Sequence, residues 1–269
     1  MKKITVIIAI VFAAALFWTV QSYGLILGPA RFEVSLPPGE IAEGDYYVQN
    51  DTEDNVHVVV EPENCFKEAY DYGKLAIKDW VELNKYEFNL NPKEIKKLRL
   101  KIKVPKDVKG ELAAQIFFTS TPLNTGGQPG TGIKTRLGAV LYVAIKGTEI
   151  VDAEIKSITV SKNANEGKEK LQFEVNVKNN GNVHIRPAGK IVISNKAGKG
   201  LVELELKSDK PTLPGEDTPY DALWGNPGLK PGEYKVSVAI NYGKELDLEK
   251  AAALEKTLEV SEDGKVIIK

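Results

Sequence analysis

The chain has 269 residues, of which 42% are hydrophobic and 27% charged; 36 Lys and Arg stand against 37 Asp and Glu, a formal net charge of −1. So even a balance gives neither nucleic acid nor an acidic membrane surface a reason to attract it. Cys65 is the single cysteine, which excludes an internal disulfide and leaves stability to packing.

Lys2 and Lys3 lead into an unbroken apolar run over 4–20, and Gln21-Ser22-Tyr23-Gly24 follows with small residues suited to cleavage. This pattern predicts a secretory signal peptide over 1–24 and an extracytoplasmic destination, periplasm or cell surface. The run is slightly long for a signal peptide, so the alternative is an uncleaved membrane anchor, for which a spanning helix uses ~20 apolar residues. Loss of Lys2 and Lys3 with the leader takes the charge from −1 to −3. The abundance of Lys and Glu, with one Met, is a composition found in heat-tolerant proteins.

Beyond the leader, period-two alternation dominates. In Leu171-Gln-Phe173-Glu-Val175-Asn-Val177-Lys the apolar side chains fall on one face and the polar ones on the other, as a half-buried strand requires. Similar runs cover 45–49, 56–60, 98–104, 112–119, 136–145, 150–160, 190–194, 201–206 and 234–242. Turn signals separate them: Pro37-Pro38-Gly39, Asn91-Pro92, Asn179-Asn180-Gly181, Pro214-Gly215 and Pro231-Gly232. Short strands at this spacing predict an all-β chain of two immunoglobulin-like antiparallel β-sandwich domains, over 25–147 and 148–269, with a short, stiff joint at Lys146-Gly147-Thr148. The Ala-rich stretch 245–256 reads as a short helix or loop, and 71–79 as an irregular excursion.

Candidate chemistry is sparse, and the chain reads as non-enzymatic with no cofactor. His57 and His184 are the two histidines and fall in different predicted domains; His57 reads as a strand-face residue and His184 as hairpin packing beside the turn at 179–182. With Cys65 isolated, no set with metal-ligand spacing exists, and no base is placed for a nucleophilic triad. Carboxylates are single or mixed with lysines, as in 166–170. The glycine-rich 126–132 lacks the Gly-Lys-Ser/Thr ending of a phosphate loop, and Trp80 and Trp224 read as core anchors. Cations on strands remain. Arg31 opens the first strand after the leader and Arg136 opens the long strand Arg136-Leu-Gly-Ala-Val-Leu-Tyr142-Val. In that strand Leu137, Ala139, Leu141 and Val143 make one apolar face while Val140, Tyr142 and Ala144 make the other apolar too, which calls for a cover by the neighbouring domain or a partner. If first and last strands of a sandwich lie together, two guanidinium forks could face one cleft and grip a carboxylate.

These features resemble two groups of envelope proteins. Arg31, Val48-Gln49-Asn50-Asp51, Phe88-Asn-Leu90-Asn-Pro92 and Thr135-Arg136-Leu137 are similar to the amino-terminal immunoglobulin-like domain of periplasmic pilus chaperones. In that family an early Arg and a Lys on the last strand anchor a client's carboxyl terminus, which the resemblance transfers to Arg31 and Arg136. The stretch 123–133, Leu-Asn-Thr-Gly-Gly-Gln-Pro-Gly-Thr-Gly-Ile, departs from the family, whose chaperones carry alternating bulky apolar residues there for strand donation. Val104-Pro105-Lys106, Gly110-Glu-Leu-Ala-Ala-Gln-Ile116 and the strand from Arg136 look like the first domain of WxL-interacting surface proteins. That family is linked to peptidoglycan attachment and partner binding. Asn179-Asn-Gly-Asn182-Val-His184 and Leu229-Lys-Pro231-Gly-Glu-Tyr234 are similar to adhesion-type modules of such proteins.

The resemblances imply an exported, non-enzymatic envelope protein that binds a surface protein or cell-wall polymer and supports its assembly or display, or else a pilus-type assembly chaperone gripping a client's carboxylate. The leader is expected to be removed near Ser22 or Gly24. Mass spectrometry of the exported protein checks this, and an intact 1–20 on it would make the segment an anchor.

Overall fold

A computed structural model of the protein describes residues 24–64, 77–123, 134–165, 168–206, 210–225, 227–243 and 250–269. The predicted leader, Cys65 and the glycine-rich 126–132 therefore lie outside the described residues, as does most of the excursion at 71–79.

The first half is built from nine strands: β1 Leu25–Gly28, β2 Arg31–Leu36, β3 Ile41–Asn50, β4 Val56–Asn64, β5 Val81–Leu83, β6 Glu87–Leu90, β7 Ile95–Lys103, β8 Glu111–Pro122 and β9 Thr135–Ile145, with one 3-10 turn at Ile77–Trp80. They form a four-stranded sheet, β1-β3-β7-β5, and a five-stranded sheet, β2-β9-β8-β4-β6. Alternation decides what lies between them. Tyr46, Val48, Leu98, Leu100 and Ile102 of one sheet meet Val58, Ile116, Phe118, Leu141 and Val143 of the other, all excluded from solvent. Tyr46 meets Phe118 edge-on at 5.5 Å between ring centroids, and burial raises the Tyr46 hydroxyl above the ordinary tyrosine range.

Eight strands follow: β10 Ala153–Asn165, β11 Lys168–Asn179, β12 Ala188–Asn195, β13 Gly200–Leu206, β14 Asp217–Gly225, β15 Gly232–Tyr242, β16 Lys250–Val260 and β17 Val266–Ile268. They pair as β10-β11-β14 and β13-β12-β15-β16-β17, with Phe173, Val175, Ile191, Ile193, Val236, Val238 and Leu258 in the core between. Two stacked pairs of sheets, each around its own core, are two immunoglobulin-like sandwiches.

Two findings differ from the sequence reading. Pairing is antiparallel except that β2 runs parallel to β9, from Arg31 opposite Val140 to Leu36 opposite Ile145. The amino-terminal segment serves both sheets: β1 pairs with β3, Pro29 has no N–H with which to continue that ladder, and β2 resumes beside β9. The second is the stretch read as a helix or loop. Its described part, from Lys250 on, is strand β16, paired with β15 from Gly232 opposite Val260 to Tyr242 opposite Lys250. Ala252, Leu254 and Leu258 pack against the second core, and burial on a sheet overrides the helix preference of the alanines.

Residues 146–152 carry the chain from β9 to β10, and hydrogen bonds fix them. Thr148 Oγ1 accepts from Gly110 N at 2.8 Å and donates to Ile145 O. The Asn182 side chain accepts from Ile150 N at 2.6 Å and donates to Thr148 O at 3.0 Å. Gly110 has φ +72, and a Cβ there would lie 2.8 Å from Asn182 O. Gly110→Ala is expected to cost about 1–3 kcal/mol through the disfavoured dihedral and the clash, read as a lowered urea midpoint; an unchanged midpoint would show that the joint is loose.

Candidate binding face and domain junction

Strand parity defines the face. Phe32, Val34, Leu36, Leu137, Ala139, Leu141 and Val143 point into the first core, so Arg31, Glu33 and Ser35 of β2 and Arg136, Gly138, Val140 and Tyr142 of β9 share the outer face of the five-stranded sheet. Arg31 and Arg136 are thus on one face, but not on one rung. Arg31 lies opposite Val140, four residues beyond Arg136, about 13 Å along the strand.

Each arginine has an acid beside it. Arg136 pairs with Glu63 of β4, and its guanidinium carbon stands 3.6 Å from the centre of the Phe117 ring, a cation–π contact. Phe117 lies opposite Gly138, where a Cβ would come within 3.1 Å of that ring, so the glycine lets the aromatic lie flat under Arg136. Arg31 Nε is 2.8 Å from Glu33 Oε1, with 51% of the arginine side chain exposed. The same Glu33 oxygen accepts from Arg186 Nη2 of the second sandwich at 2.9 Å.

The edge of β9 changes partway along. Val140 N donates to Ala30 O and Lys146 N to Leu36 O, so β2 covers 140 onward. The backbone groups of Arg136 and Gly138, four and two residues before Val140, point the same way by period two, and no described strand pairs with them on that side. Among the described residues this stretch of the sheet edge is unpaired, with Arg136 at one end and Arg31 beyond the other.

Past Arg31 the face is covered. Tyr142, Ala113 and Val140 pack against Leu213 of the second sandwich, which answers why β9 is apolar on both sides. His184, expected in hairpin packing, lies in this junction instead, 1% exposed. Its Nδ1 is 2.6 Å from Glu111 Oε1, its backbone N donates to the same oxygen at 3.1 Å, and its ring lies 4.4 Å from that of Tyr142. His57, in contrast, is on the outer face with Nδ1 2.8 Å from Asn89 Oδ1. Trp80 is buried in the first core and Trp224 packs partly buried against the second. Glu33, Glu111 and Arg186 were not singled out from the sequence. The available signal was parity, since Glu33 and Glu111 fall on the outer face with Tyr142, whose apolar neighbours already required a cover.

Among the described residues no group of three or more His, Cys, Asp and Glu could hold a metal ion, and no helix is long and apolar enough to cross a membrane.

No family model matches the chain, and no curated protein matches it. Similar solved structures include the class 5 fimbriae chaperone CfaA, 13% identical over 86% of this chain and 98% of that one with a TM-score of 0.48. The E. coli chaperone DraB is 14% identical over 87% of this chain and 97% of its own, at 0.43. A chain of the complex of Salmonella enterica SafA pilin with the SafB chaperone is 12% identical over 88% and 98%, at 0.44.

The contacts of Arg136 are exposed, so Arg136→Ala is expected to cost no more than about 1 kcal/mol of stability, measured by urea denaturation. A loss several times larger would make Arg136 a structural residue.

Proposed function

We propose that the protein is an exported, non-enzymatic envelope protein, with sandwiches over 25–147 and 148–269, that binds an extended segment of another envelope or surface protein during its assembly. This is the pilus-type chaperone reading, preferred here to wall-polymer binding or display. The observation that carries it is the open edge of β9 at Arg136 and Gly138 with half-exposed arginines at both ends. An exposed edge pairs with an extended chain through main-chain hydrogen bonds, and an arginine fork pairs with a terminal carboxylate. Phe117, lying over Gly138, offers an aromatic surface to the incoming segment.

Glu33 and Glu63 hold the two forks in the free protein; both pairs are partly exposed, so exchange for a client carboxylate loses little. The polar 123–133 does not supply the alternating apolar residues of pilus chaperones, so affinity falls on the edge and the arginines. Expected partners are proteins with a free, extended carboxyl-terminal segment.

A photoreactive residue in place of Arg136 should crosslink in the envelope to the terminal segment of a partner protein, whereas the same residue in place of Arg99 on the opposite sheet should not. With that partner in hand, Arg31→Ala and Arg136→Ala should each weaken binding by about 1.5–3 kcal/mol. Crosslinks at 99 and none at 136, or unchanged affinity in both variants, would contradict the reading.

A further inference from the structure

Glu33 of β2 stands where the candidate binding face meets the domain junction, and two guanidiniums share one of its oxygens. Arg31 Nε lies 2.8 Å from Oε1 on the face side, and Arg186 Nη2 of the second sandwich donates to the same oxygen at 2.9 Å. Oε2 faces the His184 ring, 3.8 Å from Nε2. The two arginines are unequal. The Arg31 side chain is 51% exposed, whereas those of Arg186 and Glu33 are 14% and 16% exposed. Arg186 is also fixed at its backbone: its N donates to Gly243 O, and Ile185 before it exchanges hydrogen bonds with Thr212. Its guanidinium carbon stands 5.9 Å from the centre of the Tyr142 ring of the first sandwich, at the limit of a cation–π contact.

We infer that Arg186 is a positioning residue for carboxylate binding at Arg31: by holding Glu33 it lets Glu33 release the arginine that meets the client. The inference rests on the client reading of β9 proposed above, and it adds the second sandwich to that site.

A client carboxylate takes the Arg31 fork only as Glu33 gives it up, and the cost of that release depends on what Glu33 keeps. A carboxylate so little exposed is expensive to leave without a charged donor. With Arg186 in place, Glu33 retains a guanidinium at 2.9 Å after Arg31 has turned to the client. The exchange then happens at the exposed arm of the shared pair, where ion pairs are weak. Without Arg186, the same exchange would take both guanidiniums from Glu33, so Glu33 would keep its grip on Arg31. Arg186 thus raises affinity without touching the client. Its effect is confined to ligands that carry a carboxylate, because an amide-capped segment pairs with the β9 edge and does not ask Glu33 to release Arg31. A direct attraction between Arg186 and the client is a different mechanism with a different signature. Neutralising Glu33 abolishes the route through Glu33, but it leaves a direct attraction uncompensated and therefore stronger.

The probes are an acetylated peptide of alternating threonine and valine, residue types that favour the extended state, with a free carboxylate, and the same peptide as its amide. Binding to the processed protein is read from the backbone amide shifts of Arg136 and Gly138. The unaltered protein should bind the acid more tightly than the amide. Arg186→Gln should cut that preference about fivefold or more while amide affinity holds, and Arg186→Lys, which keeps the charge, should recover most of it. Glu33→Gln should raise the preference about threefold, and adding Arg186→Gln to Glu33→Gln should change it little. If neither peptide moves the two amides, or acid and amide bind alike to the unaltered protein, the client reading fails and this inference with it. An acid preference that survives Arg186→Gln, or a loss that persists in the Glu33→Gln background, overturns the inference alone. If Arg186→Gln does not fold, Glu33→Gln carries the comparison, and an unchanged acid preference in it is contrary to the inference.

Discussion

The contact on which the rest of the molecule depends is that between Glu111 and His184. Glu111 is nearly inaccessible to solvent, and its carboxylate meets the ring and the backbone N of one residue on the other sandwich. With the sandwiches docked, removing those partners would leave a buried carboxylate without hydrogen bonds, a state that costs several kcal/mol. The second sandwich thus satisfies the carboxylate that its own docking buries on the outer end of the first. Leu213 adds apolar cover, Gly110 admits the opposing backbone where a Cβ would strike Asn182 O, and Gly181 admits the connecting segment where a Cβ would strike Ile150 O.

That docking shapes the candidate binding face. One end of β9 is lined by β2 and roofed by the second sandwich, while the other end, at Arg136 and Gly138, presents its backbone outward. Glu33 sits at the boundary. It holds Arg31 on the face side and Arg186 on the junction side, so a carboxylate arriving at Arg31 competes for the group that also ties the domains. On the proposed function, client binding at the face and docking of the sandwiches would share one side chain, a physical basis for coupling between them.

Much of the fold was legible in the sequence because alternation is a direct record of burial. The runs at 112–119 and 171–178 fall within β8 and β11, that at 98–104 matches β7 but for its last residue, and the double-sided apolar character of 140–144 called for the cover that Leu213 supplies. Three features were not legible. Strand β16 carries alanines whose local preference is helical and whose strand state is imposed by pairing with β15. The parallel β2–β9 ladder depends on a chain crossing from one sheet to the other at Pro29, which no local pattern encodes. The junction charges sit at unremarkable surface-type positions, and only the approach of a second sandwich buries them. His184 looked like part of the 179–182 turn because sequence shows its neighbours along the chain and not the strand β8 that lies across from it.

The central claim, that a buried charged junction makes the two sandwiches one cooperative body, is tested most directly by calorimetry of the processed protein near pH 5.5. The account predicts a single endotherm whose van't Hoff and calorimetric enthalpies agree, because melting either sandwich breaks the Glu111–His184 hydrogen bonds and uncovers the apolar patch under Leu213. Two separate transitions, each with the enthalpy of one sandwich, would contradict it.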